Sequence, residues 1–265
     1  MLNVVKAELR KMKRPSLLYV NVGILTGLSV LFTSLVFLRT GSQVGNRRHG
    51  SEMAQTVASL SKFDGGYFTF GLMSLFLGLI SLTVFASQSS NEYSYGTLRN
   101  LLVRQPSRMK LLGGKLLAMA AFAFLLVTFV AIVNIGLSYA ESGHGHVDTA
   151  LWSSTKAIHA FLTLYGNTLL ATIGYGLVGM SLGIILKSPM SAISISLLWF
   201  MVLENILGAV LPSSTKWLPG NALSSISAGG AKIFSYQRGL LTSAVYLLLF
   251  GGLATALFKR RDVAS

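Results

Sequence analysis

The sequence contains no cysteine, which excludes disulfides, thiolate metal sites and cysteine nucleophiles and leaves the redox compartment open. Charge is scarce as well. Asp, Glu, Lys and Arg make up 11% of the 265 residues, against about a quarter in a soluble globular chain. Acids are the scarcest, 8 against 22 bases. Enzyme signatures are also missing, with no H-E-x-x-H and no G-x-S-x-G. The nearest approach to a phosphate-cradling G-x-x-x-x-G-K-[ST] is Gly113-Gly114-Lys115. There Met109 stands where the first glycine is needed, and Leu116 where the hydroxyl is needed. The chain reads as a non-enzyme without a cofactor of its own.

What is present is apolar: 52% hydrophobic residues and a mean hydropathy of +0.63. In a soluble protein the net charge of +14 would suggest nucleic acid. In a lipid-embedded chain it follows from basic residues kept at the cytoplasmic ends, and no nucleic-acid partner is expected. The expected fold is all-α, because unsatisfied backbone groups are too costly in hydrocarbon for open strands or loops. Residues 1–265 form one transmembrane domain, with six spans at about 16–38, 66–88, 115–139, 160–186, 192–211 and 241–258. The first apolar run is longer than the roughly 7–15 residues of a signal peptide, so it reads as a retained helix.

Before it, residues 1–15 carry five bases, and Val4, Val5, Leu9 and Met12 recur near helical spacing. That pattern is a basic amphipathic helix lying on the membrane surface. Counting Lys and Arg with the N-terminus inside gives 14 on the inner segments and 8 on the outer loops. This bias puts both termini in the cytoplasm of a multi-pass plasma-membrane protein, a prokaryotic inner-membrane one. The outer segment 212–240 is too apolar for a solvent loop and is broken by Pro212, Pro219 and Gly229-Gly230. It is expected to be a re-entrant or interfacial hairpin before the sixth helix.

Gly174, Gly176 and Gly179 match a dinucleotide fingerprint, but they lie inside a span, where Gly176, Gly179 and Gly183 share a helical face. Close helix packing is the expected role, there and at Gly23 and Gly27. The outer loop ESGHGHVD groups Glu141, His144, His146 and Asp148; a solvated loop is favoured over a metal site. Glu204 in the fifth span is an intramembrane carboxylate, so two roles stand open. It either lines a translocation path or proton relay, or is buried for structure against Asn205 or Lys216. Asn21, Asn134 and Asn167 are expected to hydrogen-bond between helices.

The longest polar interruption is NEYSYGTLRNLLVRQPSRMKLLGGK, residues 91–115. Asn91 is placed as N-cap, with Glu92 in a favourable first turn. Leu98, Leu101 and Leu102 fall on one face, Pro106 breaks the helix, and Ser107 caps a second one leading to Lys115. The leucine face leaves two readings: lipid headgroups below it, or a protein partner.

Glu92, Gly96-Thr97-Leu98, Leu101-Leu102, Pro106-Ser107-Arg108 and Gly114-Lys115 resemble the E-x-x-x-G-T-L-x-x-L-L-x-x-P-x-S-R…G-K stretch of type-2 ABC transporter permeases. Here Pro106 is followed directly by Ser107-Arg108, without the spacer. The six spans, the basic N-terminal helix, Leu218-Pro219 before the last helix and the tail Arg260-Arg261-Asp262 are similar too. The resemblance implies that 91–113 is a cytoplasmic coupling segment resting on a separate ATP-hydrolysing subunit. Glu92, Gly96, Thr97, Leu98, Leu101, Leu102, Pro106 and Arg108 would form that contact, with Lys187 and Pro189 adding a second, shorter one. It further implies two ATPase copies carrying ATP and Mg, a second permease chain (identical or related), and a path between the permeases lined partly by spans two and five. Glu204, Asn205, Asn134 and Asn167 are the intramembrane polar candidates for that path. The function expected is that of an exporter subunit. A secondary transporter or channel using Glu204, and a membrane scaffold or sensor, are the alternatives.

Overall fold

The computed structural model describes residues 2–12, 15–42, 57–230 and 234–260. Lys13, Arg14, Ile233, Arg261 and Asp262 lie outside them. Among the described residues there is no strand. The helices are α1 (Leu2–Met12), α2 (Pro15–Ser42), α3 (Val57–Leu60), α4 (Phe68–Ser94), α5 (Leu98–Arg104), α6 (Arg108–Glu141) and α7 (Thr155–Leu186). They continue with α8 (Pro189–Leu197), α9 (Glu204–Val210), α10 (Pro219–Ser227) and α11 (Tyr236–Arg260). A π-helical segment, Leu198–Leu203, joins α8 to α9.

Six helices are long and apolar enough to cross a membrane: α2, α4, α6, α7, α8–α9 together, and α11. The chain is a multi-pass all-α membrane protein. The helices overrun the expected spans. α6 has 34 residues, about 51 Å of helix against a hydrocarbon core of about 30 Å, so it tilts or projects.

Proline and serine set the boundaries. All five prolines stand at or just before a helical start: Pro15, Pro106, Pro189, Pro212 and Pro219. There the missing N–H has no helical acceptor to lose and the fixed φ suits the first turn. Ser107, Ser154 and Ser188 cap α6, α7 and α8, each hydroxyl accepting from a backbone N–H three residues on.

The pair α4 and α7 is the centre of the bundle, and the two helices run parallel, with Gly78 beside Tyr175 and Ala86 beside Gly183. The glycine face explains how closely they approach. A Cβ at Gly179 would overlap the Leu82 carbonyl oxygen, and one at Gly183 would press on that of Ala86. Gly176 meets Phe85 and Ser81. The packing role expected of this face is what the structure has. Gly23 and Gly27 differ, with nothing within 4 Å of a Cβ at either. Their face of α2 looks outward, so those two glycines serve no close contact with the described residues.

α2 and α6 pack on one side of the central pair, α8 and α11 on the other. α8–α9 and α11 are peripheral, with only 11% of their most apolar windows buried. The main core runs from Met12 and Leu111 through Phe85, Leu77 and Met119 to Phe70 and Val130. A second cluster joins Phe37, Leu60, Val147 and Trp152 at the far end, where the Trp152 indole donates to Leu60 O at 2.8 Å.

Candidate functional site

One end of the bundle gathers α1, the last turn of α4, α5, the first turns of α6 and the turn between α7 and α8. Two of the four charged residues that hold it together, Glu8 and Lys11, lie outside the 91–115 motif. α1 turns Val5, Glu8 and Met12 inward, so an acid sits at the centre of its apolar stripe. Glu8 is 1% exposed and Lys115, seven residues into α6, 4%. Lys11 Nζ lies 2.6 Å from Glu8 Oε1 and 2.9 Å from Glu92 Oε1. Lys115 Nζ lies 2.7 Å from Glu92 Oε1 and 3.9 Å from Glu8 Oε2, and donates to Gln88 O at 3.2 Å. Two carboxylates and two ammonium groups thus form one neutral network across three helices. Burial works against the charge on Lys11, yet Glu92 and Glu8 outweigh it and hold its pKa above the usual lysine value.

This corrects two expectations. Asn91 is not an N-cap and Glu92 is not in a first turn: α4 runs on to Ser94, the Asn91 side chain donates to Ser87, and Glu92 is buried among cations. Glu92 therefore braces α4 against α1 and α6. The new helix starts only at Leu98, after Gly96 with φ +63°. No atom of the chain lies within 4 Å of a Cβ at Gly96, and glycine suits the left-handed turn there.

The leucines are also turned differently from the expectation. Leu98 is 5% exposed in the main core, and Leu101 and Leu102 pack against it. What α5 and its surroundings present outward is Arg99, Asn100 and Val103, with Tyr95 and Thr97 before it. Val103 is 77% exposed, Tyr95 75%, and Met190 beyond the next turn 80%. Pro106 is exposed, and Arg108 donates to Phe258 O at 2.7 Å, tying α6 to the end of α11. Lys187 adopts the left-handed conformation that ends α7, and Pro189 starts α8. Ser94 Oγ donates to Lys187 O at 3.0 Å, so the 187–189 turn lies beside the end of α4. Between α1 and α5 a cleft of about 310 Å³ is lined by Lys11, Glu92, Tyr95, Thr97 and Asn100.

The other polar candidates are scattered. Glu204, 5% exposed, accepts from the Trp199 indole at 2.9 Å, Gly220 N at 2.8 Å and Asn221 N at 3.1 Å. Neither Asn205 nor Lys216 is its partner; Asn205 donates to Met201 O in its own helix. The π segment makes the Trp199 contact possible. Five residues of α-helix would turn the two side chains about 140° apart, whereas a wider i→i+5 turn brings them onto one side. The backbone donors come from the first turn of α10, whose dipole favours the anion. Replacing Glu204 with Leu would leave three donors unpaired. We expect it to destabilise the 212–230 fold-back by about 3 kcal/mol or more, with Gln mostly tolerated. Trp199 fluorescence during thermal unfolding would check this, and equal melting of the two variants would refute the brace.

Asn134 donates to Ser29 Oγ at 2.9 Å, joining α6 to α2, and Asn167 accepts from Tyr236 OH at 2.9 Å, joining α7 to α11. Asn21 donates to Leu17 O within its own helix and links no second helix among the described residues. Segment 212–230 folds back into the bundle. Gly220 O accepts from Tyr175 OH at 3.1 Å, and Leu223 sits where a Cβ on Gly174 would stand. At the end of α6 Glu141 accepts from Ser34, and in the loop that follows Asp148 caps the short turn at Ala150. Among the described residues no three His, Asp or Glu converge on a point.

Residues 53–264 match the model of one family, described as Protein of unknown function (DUF2705). The chain belongs to this family. The match takes in α3 to α11, and with them Glu92 and Lys115; Glu8 and Lys11 lie before it. No curated protein matches the sequence. For a DUF2705 chain the geometry around α5 is therefore the best guide to function.

Proposed function

We propose that the chain is the membrane-spanning subunit of an ATP-driven type-2 ABC transporter, an exporter. A separate ATPase docks at the α1 end, which faces the cytoplasm together with both termini. The observation that carries this reading is the Ser94–Lys187 hydrogen bond of 3.0 Å, which holds the 187–189 turn against the end of α4, four residues before α5 begins. A rigid partner could press on α5 and that turn at once. The contact would be made by Tyr95, Thr97, Arg99, Asn100, Val103 and Met190, with Leu98, Leu101 and Leu102 anchoring α5 from beneath. The ion network makes α5 a firm lever, because α1, α4 and α6 are tied behind it. A second permease chain completes the path, and each permease engages one ATPase carrying ATP and Mg. The peripheral α8–α9 fits a surface lining that path. Glu204, satisfied by three donors, needs no proton-carrying role.

The test is purification of the tagged chain from its native membrane. A P-loop ATPase should accompany it, with vanadate-sensitive hydrolysis. Val103→Asp should weaken that association about tenfold while leaving thermal stability unchanged, as expected for an exposed anchor. Leu98→Asp should instead lower stability. A partnerless, monodisperse protein that conducts ions in liposomes would overturn the reading.

A further inference from the structure

Between α6, α7 and α11 the surface opens into a groove of about 720 Å³. Its walls include Leu116, Leu177 and Leu248, and α11 contributes Gly251, Gly252 and Thr255. Nothing lies within 4 Å of a Cβ at either glycine, so they leave volume open rather than admit a packed helix. The groove ends at Lys259 and Arg260, both exposed. Neither has a carboxylate partner among the described residues. From Leu247 to Arg260 α11 rises about 20 Å. That is the depth of half a hydrocarbon core, about 15 Å, plus one headgroup layer.

We propose that this groove is a binding site for one anionic phospholipid, with acyl chain along Leu116, Leu177 and Leu248 and phosphate on Lys259 and Arg260. The site is apolar along its length and cationic only at one end, which matches an amphiphile with a terminal anion. A second copy of the chain is a poor occupant. It would have to bury two cations, and with 8 acids to 22 bases it has few carboxylates to meet them. The inference needs only that α6, α7 and α11 cross a bilayer, and is independent of the transporter reading.

Native mass spectrometry of the full chain in detergent, titrated with phosphatidylglycerol and with phosphatidylcholine of the same acyl chains, tests it. Phosphatidylglycerol should bind in preference. Lys259→Gln should weaken it about fivefold and the Lys259→Gln, Arg260→Gln double variant about 25-fold, with phosphatidylcholine unaffected. A Cβ at Gly252 meets open space on the groove side and leucine suits a helix better than glycine, so Gly252→Leu should weaken both lipids while the protein stays folded. Lys156→Gln, at the far end, should change neither. Equal binding of the two lipids, or wild-type phosphatidylglycerol binding by the double variant, overturns the proposal. So does a Gly252→Leu variant that loses a dimer but keeps its lipid, since a second copy then covers the groove.

Discussion

Replacing Glu92 with Leu is expected to destabilise the protein by about 3–5 kcal/mol, the usual consequence of removing one partner from a buried ion pair. The reason is arithmetic of charge. Wild type has two carboxylates and two ammonium groups in contact, three of the four side chains under 10% exposed. Without Glu92, Lys11 and Lys115 share Glu8 alone, and Lys115 keeps only the Gln88 carbonyl at close range. For a chain of this size the melting temperature in detergent should fall by roughly 6–20 °C. The double variant Glu92→Leu, Lys115→Met leaves the Glu8–Lys11 pair neutral and should recover most of the loss. If the double variant melts as low as the single one, the network is not a unit and the brace behind α5 is lost as an explanation.

Gly179→Ala should be almost as damaging, although it adds one methyl group. The added carbon would collide with the Leu82 carbonyl oxygen, which is backbone and cannot rotate away. The α4–α7 pair must then separate over part of its length. Overpacking of this kind costs about 3 kcal/mol or more. Gly251→Ala is the matched control, since its Cβ meets open space and alanine favours the helix by up to about 1 kcal/mol. Opposite shifts of melting temperature are the expected result. A Gly179→Ala protein that melts with the wild type would show that the two helices do not approach as described.

The two expectations differ in how readable they were. The glycine face was visible in sequence because its meaning is local: Gly176, Gly179 and Gly183 recur at helical spacing, and only close approach needs that. The six apolar runs, the proline break at Pro106 and the Ser107 cap are local in the same way. The ion network was not visible. Glu92 and Lys115 are joined across a helix end, a turn, α5 and a second turn, and spacing across such a path predicts no contact. Glu8 is the one acid among five bases in residues 1–15, and no motif includes it. A signal did exist: it lies on the inward stripe between Val5 and Met12, where an acid demands a buried cation.

The inward turn of Leu98 was hidden for a related reason. An amphipathic pattern says that one face is covered, and not by what. Here the chain's own core covers that face. Glu204 was ambiguous because its partners are mostly backbone N–H groups of Gly220 and Asn221, which carry no mark in the side-chain code.

The network also imposes an order in time. Glu8 and Lys11 are made first, and Lys115 roughly a hundred residues later, on the order of 5–20 s at ordinary rates of synthesis. Through that interval α1 has an acid in its apolar stripe and no second cation to meet it. α1 can therefore lock into place only after α4 and α6 have both been inserted. A helix made before all six spans is among the last to be fastened, and its fastening reports that the spans behind it are in place.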